Sequence, residues 1–143
     1  EGAIVRDGAG VRLPGHRAQL NPADAALWER VAPILAEGSL RPPTLTELAA
    51  ALGKDAKHLE PVLSRLARHG LLVRVSKNRF FTPQAVKRLE EIAQAEAKER
   101  GTITAAAFRD RAGIGRNLTI EVLEYFDRTK FTRRAGDAHV LVR

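Results

Sequence analysis

The chain repeats itself. The stretch GKDAKHLEPVLSRLARHGLLVRVSKNRFFT (Gly53–Thr82) aligns without a gap with GIGRNLTIEVLEYFDRTKFTRRAGDAHVLV (Gly113–Val142), at an offset of 60 residues. Gly53 meets Gly113, Val62 and Leu63 meet Val122 and Leu123, and Leu66 meets Phe126. Further on, Leu71 meets Phe131, Arg74 meets Arg134, and Phe80 and Phe81 meet Val140 and Leu141. The match lies in pattern more than in identity. A repeat of fixed period means that one supersecondary unit is used twice, so the chain is expected to fold as two similar units.

Local signals outline each unit. In the first, Asn21 reads as an N-cap with Pro22 at the first helical position, where a missing N–H costs nothing. Leu27, Val31, Ile34 and Leu35 follow at helical spacing. Pro33 lies inside this run and predicts a kink or a break, and Gly38 can end the helix. Thr44 stands three residues before Glu47, a capping-box pattern, and the second helix stops at Gly53. A third helix carries Leu59, Val62, Leu63 and Leu66 on one face, with Pro61 in its early turns and His69–Gly70 at its exit. LLVRV-SKN-RFFT then alternates around polar turn residues and reads as a β-hairpin.

The second unit begins at once, with Thr82 and Pro83 as cap and first-turn proline. Val86, Leu89, Ile92 and Ala93 form its first buried stripe. TITAAAFRDRAG supplies a short strand and a second helix. The third helix points Leu118, Val122, Leu123 and Phe126 inward, and Gly136-Asp137 turns the closing hairpin. Helix, short strand, helix, helix, hairpin is the winged-helix order. The expected fold is therefore mainly α with small β-hairpins: tandem winged-helix domains at residues 21–82 and 83–143. No Gly/Ser- or Pro-rich linker parts them, which predicts a fairly fixed mutual orientation. Residues 1–20 fit neither unit and read as the end of a preceding domain plus a linker. With no methionine at position 1, the chain is expected to be a fragment or a processed form.

Composition narrows the function. No apolar run approaches the roughly 20 residues that cross a bilayer, and EGAIVRDGAG lacks the apolar core of a signal peptide. There is no cysteine, which excludes disulfides and thiolate metal sites and fits a cytoplasmic protein. The P-loop pattern and H-E-x-x-H are absent. His16, His58, His69 and His139 show no i, i+4 spacing, so no metal site is expected. Glu90-Glu91 point in different directions from a helix and suit a solvated face better than acid–base work. GAGVRLPG does not open a helix and makes a poor phosphate cradle. No catalytic residue and no cofactor are expected. A net charge of +7 favours a polyanionic partner.

Binding chemistry concentrates in the second unit. In a helix-turn-helix geometry the second helix of the pair presents its N-terminal residues outward. That tip is Gly115-Arg116-Asn117. An arginine there opposes the helix dipole, and a phosphate facing Arg116 and the free backbone N–H groups would account for it. Asn117 can both donate and accept, as a base edge or a ribose hydroxyl requires; an ordinary exposed polar residue is the plain alternative. Arg133 and Arg134 are adjacent in a strand and point to opposite faces, so one of them could reach the ligand of Arg116. A charged edge that blocks aggregation is the alternative. Arg109 and Arg111 could extend the patch. Tyr125 and Phe131 read as core residues rather than stacking platforms. Lys54, Lys57, Arg74, Lys77 and Arg79 hold comparable places in the first unit, but Asp55 at its helix tip makes that unit the weaker candidate.

FRDRAGIGRNLTIEVLEYFDRTKFTRRAGDAHVLVR resembles the C-terminal end of the bacterial selenocysteine-specific elongation factors, the SelB family. LTELAAALG and GLLVRVSKNRFFTPQAV resemble the winged-helix domain just before it. The likeness covers about residues 25–143. It implies that this chain is the third and fourth winged-helix domains of such a factor. The last of these would grip an mRNA hairpin, the selenocysteine insertion element, beside an in-frame UGA codon. On that resemblance the RNA-contacting tip falls on Gly115, Arg116 and Asn117, and the basic wing on Arg133, Arg134, Gly136 and Asp137. Family members often carry Lys or Arg where this chain has Asn117. The ribosome, GTP and selenocysteyl-tRNA would be engaged by parts outside this chain. A monomer with no membrane contact is expected. A duplex-DNA regulator and a protein-interaction module are the rival readings.

Overall fold

The structure is a computed structural model and describes residues 20–142. The expectation for residues 1–20 lies outside it, save Leu20, which packs on the first core. The first unit runs α1 (Pro22–Gly38), α2 (Leu45–Leu52), α3 (Ala56–Arg68), β1 (Val73–Ser76) and β2 (Arg79–Phe81). The second runs α4 (Pro83–Arg100), α5 (Ala105–Ala112), α6 (Arg116–Arg128), β3 (Thr132–Ala135) and β4 (Ala138–Leu141). Both have the winged-helix order.

The caps behave as their residue types dictate. Asn21, Thr44, Thr82 and Thr104 accept side-chain bonds from the first turns of α1, α2, α4 and α5. Thr44 and Glu47 close a full capping box. Pro33 neither breaks nor ends α1, contrary to one reading of the sequence. Its missing N–H orphans the carbonyl of Glu29, and both residues lie on the exposed face, where water can satisfy that oxygen.

Two apolar clusters result. Leu27, Val31 and Leu35 of α1 meet Leu48, Leu52, Leu59, Leu63 and Leu66, closed by Leu72 and Phe80. Val86, Leu89 and Ile92 of α4 meet Phe108, Leu118, Val122, Leu123 and Phe126. The second cluster also takes in Val75 and Phe81, which belong to the first unit's hairpin. Side chains alternate along a strand, so the β1–β2 hairpin gives one face to each core. It is a shared wall. Arg128 of α6 donates to the carbonyl of Val75 at 2.8 Å, and Glu121 accepts from Ser76 and pairs with Arg79. This bonding agrees with the expected absence of a loose connection.

The short strand expected in the second unit is a single bridge, in which Ile103 and His139 exchange backbone bonds at 2.8 and 2.9 Å. The repeat places Pro43 and Arg79 at the corresponding positions. Proline has no N–H to donate, and no such bridge forms among the described residues of the first unit. Arg79 instead donates from its side chain to the carbonyl of Pro42 at 2.7 Å. Buried polar groups tie the rest. Asp24 receives two bonds from Arg65, at 2.8 and 3.1 Å, and that guanidinium holds its carboxyl below the usual range. Asp127 accepts from Thr132 and meets Nδ1 of His139, pinning the wing to the end of α6.

The two copies differ where α3 and α6 end. Gly70 and Lys130 are corresponding residues, and both have left-handed backbones, with φ of 80° and 68°. Such a conformation costs an L-residue roughly 1–2 kcal/mol but suits glycine. After allowing for the greater freedom glycine has when unfolded, Lys130→Gly is expected to stabilise the second unit by about 0.5–1 kcal/mol. A thermal melt that does not rise would contradict this.

Candidate nucleic-acid interface

The tips of α3 and α6 are the same place in the repeat, built differently. Asp55 caps α3, its carboxylate accepting from the backbone N–H of Lys57 at 3.0 Å. The residue in that place before α6 is Gly115, and no side chain caps the helix. The first N–H groups of α6 are therefore left without a side-chain cap, and the first turn of the helix carries no acid at the positive end of its dipole. Arg116 and Asn117 stand exposed on this tip. Gly115 has φ of −76°, an ordinary backbone, and a Cβ there would meet nothing within 4 Å. Its contribution is the lack of a competing side chain, not backbone freedom. Thr119 is buried and donates back to the carbonyl of Gly115 at 2.8 Å, which stiffens the first turn.

Arg116 lines a shallow depression of about 290 Å³ together with Arg109, Thr119, Ile120, Ala105 and Ala106. The structure thus places Arg109, which also meets the exposed Asp110 at 3.4 Å, in the same depression as Arg116. Ile120 is 42% exposed. It escaped the sequence reading, although an apolar residue off the stripe of Leu118, Val122 and Phe126 is a signal in itself. Arg111 does not extend the patch. Its guanidinium binds Glu96 at 2.8 Å and Glu99 at 2.6 Å, which lowers the Glu99 carboxyl below its usual range.

The wing pairs Arg133 with Val140 and Arg134 with His139. Both arginines are exposed, because this end of the hairpin projects beyond the core. Arg134 donates to the carbonyl of Gly136 at 3.2 Å across the turn. Gly136 has φ of 64°, as the first central residue of a type II′ turn requires, and Asp137 is exposed beside it. Arg133 lies on the other face and shares a separate trough with Lys98. No depression or bond joins either wing arginine to Arg116 among the described residues.

Arg74 and Arg79, the first unit's candidate arginines, are occupied. Arg74, the counterpart of Arg134, binds Glu60 at 2.6 Å, Ser64 at 3.2 Å and the carbonyl of Lys77 at 2.9 Å, and lies over the Phe80 ring. In the second unit the place of Glu60 is taken by Ile120. Arg134 consequently has no acid within ion-pairing distance among the described residues. Tyr125 and Phe131 pack partly buried against the second core, in keeping with the sequence reading. Among the described residues no group of three or more His, Asp and Glu could hold a metal ion, and no helix is long and apolar enough to cross a membrane.

The chain is similar to known proteins. Residues 95–141 match the family model described as the winged helix of elongation factor SelB. The chain is 33% identical, over 92% of its length, to the selenocysteine-specific elongation factor of Escherichia coli K12. It is 27% identical over 99% of its length to that of Haemophilus influenzae. It covers 21% and 23% of those two proteins, about a fifth of each. Among solved structures it resembles the mRNA-binding domain of elongation factor SelB from E. coli in complex with SECIS RNA. The TM-score is 0.79 at 31% identity, covering 87% of this chain and all of that one.

Proposed function

Since the chain belongs to the SelB family of selenocysteine-specific elongation factors, we propose that it is an mRNA-hairpin-binding module. It would bring its factor to a selenocysteine insertion element beside an in-frame UGA codon in the cytoplasm. Residues 21–82 and 83–143 would be its two winged-helix domains, the second carrying the RNA. One observation carries the reading: the α6 tip has an exposed arginine with no ion-pair partner among the described residues and no acidic cap, whereas the corresponding tip of α3 is closed by Asp55. An RNA phosphate supplies the acceptors that this tip lacks. Arg109 and Ile120 would flank an unstacked loop base, with Asn117 at its edge. Arg134, Gly136 and Asp137 would meet the flanking backbone. The proposed module holds no catalytic chemistry and needs no cofactor. GTP, selenocysteyl-tRNA and ribosome contacts would belong to the rest of the factor.

Binding of an RNA hairpin, its stem as a duplex, the same sequence as duplex DNA, and a single strand should be compared at several salt concentrations. The expected order places the hairpin first by at least tenfold, about 1.4 kcal/mol. Equal affinity for all four would mean a diffuse polyanion interaction. Preference for duplex DNA would favour the transcription-regulator reading.

A further inference from the structure

The wing has two faces, and the tip of α6 accounts for neither cation on the outer one. Arg133 projects there beside Val140, its cross-strand partner. Between this face and the last turns of α4 runs an open trough of about 800 Å³. Ala97, Val140, Leu141 and Val142 line it together with Lys98 and Arg133. No acid lines it. The acids near the end of α4 are engaged elsewhere: Glu96 by Arg100 and Arg111, Glu99 by Arg111. Neither Lys98 nor Arg133 has an ion-pair partner among the described residues.

Resting on the reading of the chain as a hairpin binder, we propose that this trough seats the phosphodiester backbone of the hairpin's stem, with Lys98 as a contact residue. Charge is the first reason. Two cations without an ion-pair partner among the described residues, in a trough that no described acid lines, match a row of phosphates, and they would repel a basic partner. Geometry is the second. Arg133 and Arg134 point to opposite faces of one strand, so a loop held at the α6 side cannot engage both. A stem that continues past the wing brings phosphates to the outer face. The apolar side chains that line the trough would then carry the aliphatic stems of Lys98 and Arg133, which keep their charged ends outward. Contacts of this kind position the RNA without reading its sequence.

The test uses the whole chain and two RNAs: a hairpin with a minimal stem, and the same hairpin with its stem longer by about one helical turn. Lys98→Ala and Arg133→Ala should each weaken binding of the long hairpin by roughly three- to tenfold and lower its salt slope by about one. Binding of the short hairpin should not change. Lys98→Arg should keep the wild-type affinity, since the charge is retained. Arg116→Ala should weaken both RNAs. If Lys98→Ala binds the long hairpin like the wild type while Arg116→Ala weakens both, the stem seat is wrong and the hairpin reading stands. If Arg116→Ala and Lys98→Ala both leave both RNAs unaffected, the hairpin reading fails and the stem seat with it. A loss with Lys98→Ala that is equal on the two RNAs would also overturn the proposal, because a general field and not a stem contact would then be at work.

Discussion

Phe81→Ala is expected to destabilise the second unit by about 3–5 kcal/mol, although Phe81 sits on the first unit's hairpin. Its side chain is fully buried, among Leu89, Phe108 and Phe126 of the second core. Truncation removes the ring's transfer energy and leaves a cavity that a close-packed surround closes only in part. That is a large share of the roughly 5–15 kcal/mol that holds a domain together. Phe80 is the informative comparison. It is adjacent, 2% exposed, and packed in the first core. Phe80→Ala should therefore weaken α1–α3, and Phe81→Ala should weaken α4–α6. Hydrogen exchange resolved by segment, together with a thermal melt, distinguishes them. If both substitutions loosen the same three helices, the hairpin does not serve as a wall between two cores.

Arg116→Ala is expected to weaken RNA-hairpin binding by about 1–3 kcal/mol and to reduce the salt slope by about one. The stability of the free protein should stay the same or rise by a few tenths of a kcal/mol, because a cation at a helix N-terminus opposes the dipole. Arg128, on the same helix, is not a neutral comparison. It donates to Val75 at 2.8 Å and lies over the Tyr125 ring, so its loss perturbs the wall between the cores. Arg88 serves better. Its pairing with Glu91 is long, at 3.8 Å, and exposed, so it contributes little. Arg88→Ala removes the same formal charge from the same unit. Isotherms and melts of both variants decide the matter. Equal losses of affinity would mean that net charge carries the binding, and the α6 tip would lose its assignment.

Much of the scaffold was legible before any tertiary contact was known. Thr44 with Glu47, Thr82 with Pro83, and the glycines at 53 and 113 mark helix ends through bonds that span only a few residues. Leu118, Val122, Leu123 and Phe126 face inward at helical spacing, as read. The α6 tip was legible for the same reason, since both the missing acidic cap and the misplaced arginine are local. Of the two outcomes read for Pro33, the break does not occur: a proline's cost depends on whether the carbonyl it orphans reaches water. Arg111 was read as able to extend the patch, and its engagement went unseen because its partners, Glu96 and Glu99, sit on another helix. Ile120 was passed over because its meaning depends on what stands next to it in space.

By itself, then, the sequence determined the elements, their order, their repetition and the chemistry of the α6 tip, all matters of short-range bonding and of periodicity. Only the tertiary structure decided which cations are available. Arg74 and Arg134 are the same residue in the repeat, and Glu60, 14 residues from Arg74, engages the first, while Ile120 in the place of Glu60 leaves the second without an acidic partner among the described residues. It also decided that one hairpin is shared by two cores, through contacts such as Arg128 to Val75 that span 53 residues. The physical reason is the same in both cases. Pairing and burial depend on which side chains meet, and a local pattern carries no record of partners that the chain brings together only when it folds.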